Sequence, residues 1–200
     1  MATENQLWLP RGKHWGLDIH THLHRDTGPF IPSAGQKLVW HTTEGSGFAA
    51  MERVLIQKDA EPHCLIEPST GDTIQFIAFN QYARALEHPP GTMETNRAHA
   101  IQVEVIGFAA RSHDWPDHYY DNLASLACLI ENRVHIPRKH ANFQGEGHAK
   151  RMGQAEFVKY RGHCGHEHVP SQPAGHWDPG DMRGNYLMQR MAAMDRKFSK

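Results

Sequence analysis

Apolar and polar positions alternate most clearly in "HAIQVEVIGF" (99–108), where Ile101, Val103 and Val105 interleave with Gln102, Glu104 and Ile106. Successive strand side chains point to opposite faces, so Glu104 stands on the face away from Val103 and Val105. "QKLVWHTT" (36–43) is a short apolar run closing in a polar cluster, which predicts a buried strand delivering His41 at its C-terminal end. "HCLIEPSTGDTIQFIA" (63–78) predicts two strands around the turn "PSTGD", a hairpin. The helical period appears in "GSGFAAMERVLIQKD" (45–59), with Phe48, Met51 and Leu55 at i, i+3 and i+7. It is stronger in "DHYYDNLASLACLIENRVH" (117–135), where Tyr120, Leu123, Leu126, Ala127, Ile130 and Val134 make one apolar stripe. "GQAEFVKYRG" (153–162) predicts a short helix and "DMRGNYLMQRMAAMDRKF" (181–198) a final one.

Strands and helices thus alternate, which predicts an α/β (α+β) class with one central sheet flanked by helices. Residues 1–36, rich in polar residues and broken by Gly12, Gly16, Gly28, Pro29, Pro32 and Gly35, read as an irregular N-terminal arm of open role. Residues 37–200 form the remaining globular unit, with a Gly/His/Lys-rich loop at 138–150. No internal repeat or linker divides it. The stretch 160–181, "YRGHCGHEHVPSQPAGHWDPGD", has too many glycines and prolines for a long helix or strand and predicts a shaped loop.

Composition changes this picture at one point. Hydrophobic and charged contents of 39% and 22% are those of an ordinary globular chain. The net charge of -1 gives no overall bias toward nucleic acid or an anionic membrane. No apolar leader opens the chain, and no apolar run is long enough to span a bilayer. Three cysteines, Cys64, Cys128 and Cys164, have neither framework nor zinc-ribbon spacing. Histidine is the outlier, at 17 of 200 residues, and neutral imidazole is the commonest metal ligand.

Two clusters could hold a metal. "DIHTHLH" (18–24) places His20, His22 and His24 on one face of an extended segment and has the DxHxH pattern of metal-dependent barrel hydrolases. Those barrels need roughly 250 residues, and the alternative reading is a polar, partly exposed strand. The second cluster joins the strand-end His41 to the 160–181 loop. One histidine from the strand with a histidine and an aspartate from the loop gives three protein ligands, leaving a fourth position open as in catalytic zinc sites.

In order along residues 37–195, "VWHTTEGSG", "PHCLIEPSTGDTIQFIAFNQYARAL", "TNRAHAIQVEVIGFA", "GHCGHEHV" and "HWDPGD" resemble the zinc-dependent N-acetylmuramoyl-L-alanine amidases, in particular those of phage endolysins. Each piece alone is common; five in sequence at matching intervals are specific. The resemblance implies a mixed sheet and one Zn2+ per chain held by His41, His166 and Asp178. It implies Glu104 as the carboxylate that handles protons, and His176 at the position where many relatives carry a lysine that stabilises the oxyanion. A histidine there is charged only below its pKa, ordinarily about 6.5. Thr42, Thr43, Asn96 and His63 are the expected substrate-binding positions, with a satisfied core histidine as the alternative reading of His63.

The implied substrate is bacterial peptidoglycan, cut between the lactyl group of muramic acid and L-alanine by a monomer that binds neither nucleic acid nor membrane. It would be made in a host cytoplasm and act on the wall, released by holin-type lysis or found outside the cell. The competing readings are a muropeptide-binding module of the same fold without activity, and a metallo-hydrolase built on "DIHTHLH".

Overall fold

The structure, a computed structural model, describes residues 7–22, 27–148 and 150–198. Its strands are β1 (Gly12–His14), β2 (Leu17–Thr21), β3 (Lys37–Thr42), β4 (Cys64–Ile66), β5 (Asp72–Gln75), β6 (Ala100–Val105) and β7 (Gly162–Gly165). Its helices are α1 (Phe48–Gln57), α2 (Asp117–Val134), α3 (Gln154–Lys159) and α4 (Gly184–Phe198). The strands form one mixed sheet in the order β1-β2-β5-β4-β6-β3-β7. The β1–β2 and β4–β5 pairs are antiparallel and the other neighbours parallel.

The alternation read in the sequence assigns the two faces. Leu38, Trp40, Ile66, Ile101, Val103 and Val105 share a buried cluster with the stripe of α2 and with Leu187 and Met191 of α4. Tyr120, Leu123, Leu126, Ala127 and Ile130 are wholly buried there, and each large side chain contributes about 1.5–3 kcal/mol. The other face carries Leu65, Ile74, Phe76 and Ile106 under Phe48, Met51, Leu55 and Ile56 of α1. A third cluster joins Val39, Ala100 and Cys164 to Phe157 of α3.

Two expectations need correction. The arm is not irregular throughout: residues 12–21 form a hairpin that extends the sheet through β2, with Leu17 and Ile19 buried in the α2-side core. Its two-residue turn puts both Trp15 (φ 52°) and Gly16 (φ 87°) in the left-handed region, as a primed hairpin turn requires. Tryptophan at such a position is uncommon, which hid the turn. The 160–181 stretch, expected as a loop, begins with β7 and a 3-10 turn over His166–His168. Backbone pairing with β3 makes a strand of "GHCG", whose side chains show no strand pattern.

The parallel strands β4, β6, β3 and β7 end at one edge of the sheet. In open α/β sheets that edge is where ligands bind.

Candidate active site

Strand pairing places the first two residues of the site. His41 lies directly opposite Glu104 in the β3–β6 register, and both point away from α2 because their neighbours Trp40 and Val103 point toward it. His166 follows β7 immediately, beside His41. The loop beyond returns Asp178 to the same point, its backbone carbonyl accepting from the Glu167 N–H at 3.0 Å. Gly165 makes this approach possible. A Cβ there would lie 2.5 Å from Pro179 Cδ, which forces a shift, and a tight 3.1 Å from the Asp178 carbonyl oxygen.

His41, His166 and Asp178 are all buried, and their ligand atoms lie within 4.8 Å of one another. The two Nδ1 atoms are 3.1 Å apart. Asp178 places Oδ2 at 3.5 Å from His41 Nδ1 and Oδ1 at 3.3 Å from His166 Nδ1. His166 Nε2 lies 3.0 Å from Gln172 Oε1, so that nitrogen carries the proton and Nδ1 presents a lone pair inward. Two acceptor atoms, His166 Nδ1 and Asp178 Oδ2, therefore face one His41 nitrogen. His41 Nε2 and Glu104 Oε2 are buried without hydrogen-bond partners among the described residues. Such a surplus of acceptors fits a cation at the centre, and imidazole with carboxylate oxygen is a zinc donor set.

Charge states follow from burial. Desolvation lowers the His41 pKa to about 4, so the ring is neutral and able to ligate. Burial acts to raise the Asp178 pKa, but the His166 and His41 rings outweigh it and hold the carboxyl well below the usual range. Glu104 goes the other way: burial first, then Asp178 and Glu44, push it well above an ordinary carboxylate. Its Oε1 is 3.8 Å from His41 Nδ1. His176 sits half-buried at the lip, its ring centroid 4.5 Å from that of His166. Burial and His166 lower its pKa, so near neutral pH it is a neutral N–H donor.

A cleft of about 350 Å3 opens onto the group, walled by Thr42, Thr43 and Glu44, by Met51 and Leu55 of α1, and by His176. Thr42 and Thr43 thus line it. The other two expected substrate positions do not. His63 is wholly buried, with Nδ1 accepting from the Gln102 N–H (2.9 Å) and Nε2 facing the Gln81 carbonyl (2.9 Å). Asn96 closes the 86–96 loop, donating to Leu86 O at 2.7 Å and accepting from Leu86 N at 3.1 Å. His20 and His22 lie on the exposed side of the arm hairpin, near Asp18 and Glu52 respectively, and join no metal-capable group among the described residues. His24 lies outside the described residues.

Sequence reading missed the groups that hold the loop in place. Arg151 donates from Nη1 to the carbonyls of His166 (2.8 Å) and Val169 (3.0 Å). Its Nη2 donates to those of Pro173 (3.2 Å) and His176 (3.1 Å). Glu167, wholly buried, accepts the Gly145 N–H at 3.1 Å. Gln172 orients His166 and is itself fixed by the Glu87 N–H at 3.0 Å.

A mixed sheet with a buried His–His–Asp group able to hold a metal ion, and with the Glu104 carboxylate beside it at the parallel-strand edge, has the frame of a hydrolase. The chain belongs to the N-acetylmuramoyl-L-alanine amidase family, whose model matches residues 32–181, and it is an enzyme of that class. Among solved structures it is similar to the Staphylococcus aureus hydrolase AmiA in complex with its ligand. The TM-score there is 0.55 and the identity 12%, over 98% of this chain and 89% of that one. A mutant of PlyL gives a TM-score of 0.54 and 16% identity, over 88% and 99%. At these identities the likeness establishes the fold. No curated protein matches the chain in sequence. No helix among the described residues is long and apolar enough to cross a membrane.

Proposed function

We propose that the protein hydrolyses the amide between the lactyl carbonyl of N-acetylmuramic acid and L-alanine of the stem peptide, with His41, His166 and Asp178 holding one zinc ion. The observation that carries this reading is the convergence of those three buried side chains beside Glu104. Bound there, zinc supplies a Lewis acid and lowers the pKa of water toward about 7.

Glu104 is the general base. It takes the proton of the attacking water and returns it to the departing alanine nitrogen. Burial raises its pKa from the ordinary carboxylate value, the direction that strengthens it as a base. His176, neutral at the lip, donates a hydrogen bond to the oxyanion that forms on the lactyl carbonyl. It therefore acts as a dipole, whereas the lysine of many relatives acts as a charge. Thr42 and Thr43 shape the wall against which the muramyl group rests. Glycan strand and free stem peptide are the products, and lysis of bacterial walls in the manner of an endolysin is the biological role in this reading.

The test is release of soluble stem peptides from purified cell walls, followed by turbidity and identified by mass, with and without a chelator. Chelator-sensitive release of peptides with a free L-alanine amino terminus is expected. Release of peptides cut elsewhere, or no release by zinc-loaded protein, refutes the reading.

A further inference from the structure

The same sheet edge carries a second concavity, of about 480 Å3, lined by Gly45, Phe108, Arg111, Trp115 and Tyr119. Phe108 is the one large apolar side chain exposed among the described residues, at 39%. The Arg111 guanidinium lies 5.6 Å from its ring centroid. Trp115 turns its indole edge to Gly107, where a Cβ would stand 3.4 Å from Cζ2 and 3.8 Å from Nε1. Trp115 is only 6% exposed, and Gly107, with φ at +147° and no side chain, lets the Nε1 edge of the ring border the pocket that both residues line. The indole Nε1–H donates no hydrogen bond among the described residues, although indole is a donor and a pocket wall is where it would find an acceptor.

One turn separates this pocket from the donor group. Thr43 Oγ1 accepts from the Gly107 N–H at 3.3 Å. The Glu44 carboxylate accepts from Thr42 Oγ1 at 2.6 Å and from the Ala109 N–H at 2.8 Å. Glu44 walls the cleft on one side and Gly45 the pocket on the other. A substrate cut where a peptide joins a sugar chain sends two arms away from the scissile carbonyl. The cleft is lined by Lys58, and by Arg84 in an ion pair with Asp59, which places a cation where the peptide arm would run. The pocket offers an exposed aromatic face and a neutral N–H donor, which suit a sugar ring with an apolar C–H face and an acetamide oxygen.

We propose that this pocket is a subsite for a neighbouring N-acetylated sugar of the glycan strand, its ring over Phe108 and its acetamide carbonyl accepting from Trp115 Nε1–H. It rests on the amidase reading above.

The test compares kcat/KM on a muramyl peptide with a single sugar and on a tetrasaccharide carrying the same peptide, for the zinc-loaded parent, Phe108→Ala and Trp115→Phe. The second variant keeps a ring and removes the donor. Binding of peptide-free N-acetylated oligosaccharide is measured by calorimetry on the same proteins. The parent should favour the tetrasaccharide, and Phe108→Ala should cut that preference about 10-fold, in line with the loss of one stacking contact. Trp115→Phe should cut it several-fold, and both variants should weaken oligosaccharide binding. Unchanged preference in both folded variants, or equal loss on both substrates, overturns the subsite. If the parent cleaves neither substrate the amidase reading fails, and oligosaccharide binding decides the subsite alone: binding weakened in Phe108→Ala upholds it, and no binding overturns it.

Discussion

Replacing Arg151 with methionine removes four hydrogen bonds from one charged group while keeping most of the apolar stem. Each of the carbonyls it serves, on His166, Val169, Pro173 and His176, belongs to the segment that carries the proposed ligands. A hydrogen bond to a charged group contributes about 1.5–3 kcal/mol net, so four at the lower figure set a ceiling near 6 kcal/mol. The guanidinium is half-buried, and the carbonyls at 173 and 176 lie on a partly exposed loop where water replaces part of the loss. A destabilisation of about 2–4 kcal/mol is therefore expected.

The more telling effect is on metal affinity. His166 and Asp178 hold their positions through this loop, and removing a support behind a ligand typically weakens binding about 10–100-fold. Arg151→Lys should fall between parent and methionine variant, since one ammonium cannot reach two pairs of carbonyls as a planar fork does. Urea unfolding of the metal-free proteins and competition for zinc with a chromophoric chelator measure the two effects separately. If Arg151→Met unfolds within about 0.5 kcal/mol of the parent, as an ordinary surface substitution would, and binds zinc equally well, the loop is held by something else.

The purified protein should carry one zinc per chain by elemental analysis, and His41→Ala, His166→Ala and Asp178→Ala should each lose it; full occupancy in any two would reject the donor set. Glu104→Gln should keep zinc and fold but lose about 10²–10⁴-fold in rate on cell walls, and a rate within a few-fold of the parent removes it from the chemistry. Gly165→Ala should lower stability by about 1–3 kcal/mol through its clash with Pro179 and reduce zinc occupancy, whereas an unchanged melting curve and full occupancy would contradict the close approach. Lys37 is wholly buried, donating to Gly35 O and Ala98 O, and burial lowers its pKa from 10.5 to about 8. The unfolded chain then binds the extra proton between those values, so parent stability should rise relative to Lys37→Met by about 2–3 kcal/mol from pH 8 to 10.5; a flat difference refutes it.

Where a residue's place follows from a local period, the sequence was a sufficient guide. Two-residue alternation put Glu104 opposite the α2-facing valines, and the polar end of an apolar run put His41 at a strand terminus. The α2 stripe was legible because six apolar positions share one helical face. His63 shows the limit of that reasoning: its strand was legible, but whether its ring reached the cleft depended on Gln81 and Gln102, which claim both ring nitrogens. Arg151 and Gln172 were illegible because their partners are backbone atoms and loop side chains with no spacing signature. The arm hairpin was missed because two inward residues, Leu17 and Ile19, are too few to establish a period.

The site is thus supported in two different ways. His41 and Glu104 stand on adjacent central strands, and moving either means breaking the β3–β6 ladder. His166, His176 and Asp178 stand on the segment that runs from β7 to α4. That strand is secured from the α2 side by a buried relay. Trp40 Nε1–H donates to His163 Nδ1 (3.2 Å), His163 Nε2–H to Glu131 Oε1 (2.9 Å), and Arg138 Nη2–H to Glu131 Oε2 (2.6 Å). Beyond β7, the backbone bond from the Glu167 N–H to the Asp178 carbonyl and the side chains of Arg151, Glu167 and Gln172 hold the segment in register. Damage to the ladder or the relay should therefore destabilise the whole domain, since Glu131 and His163 are buried and would be left without their partners. Damage to Arg151, Glu167 or Gln172 should release the metal first. The proposed general base and one proposed ligand belong to the core of the fold, and the other two proposed ligands depend on how well one loop is tied down.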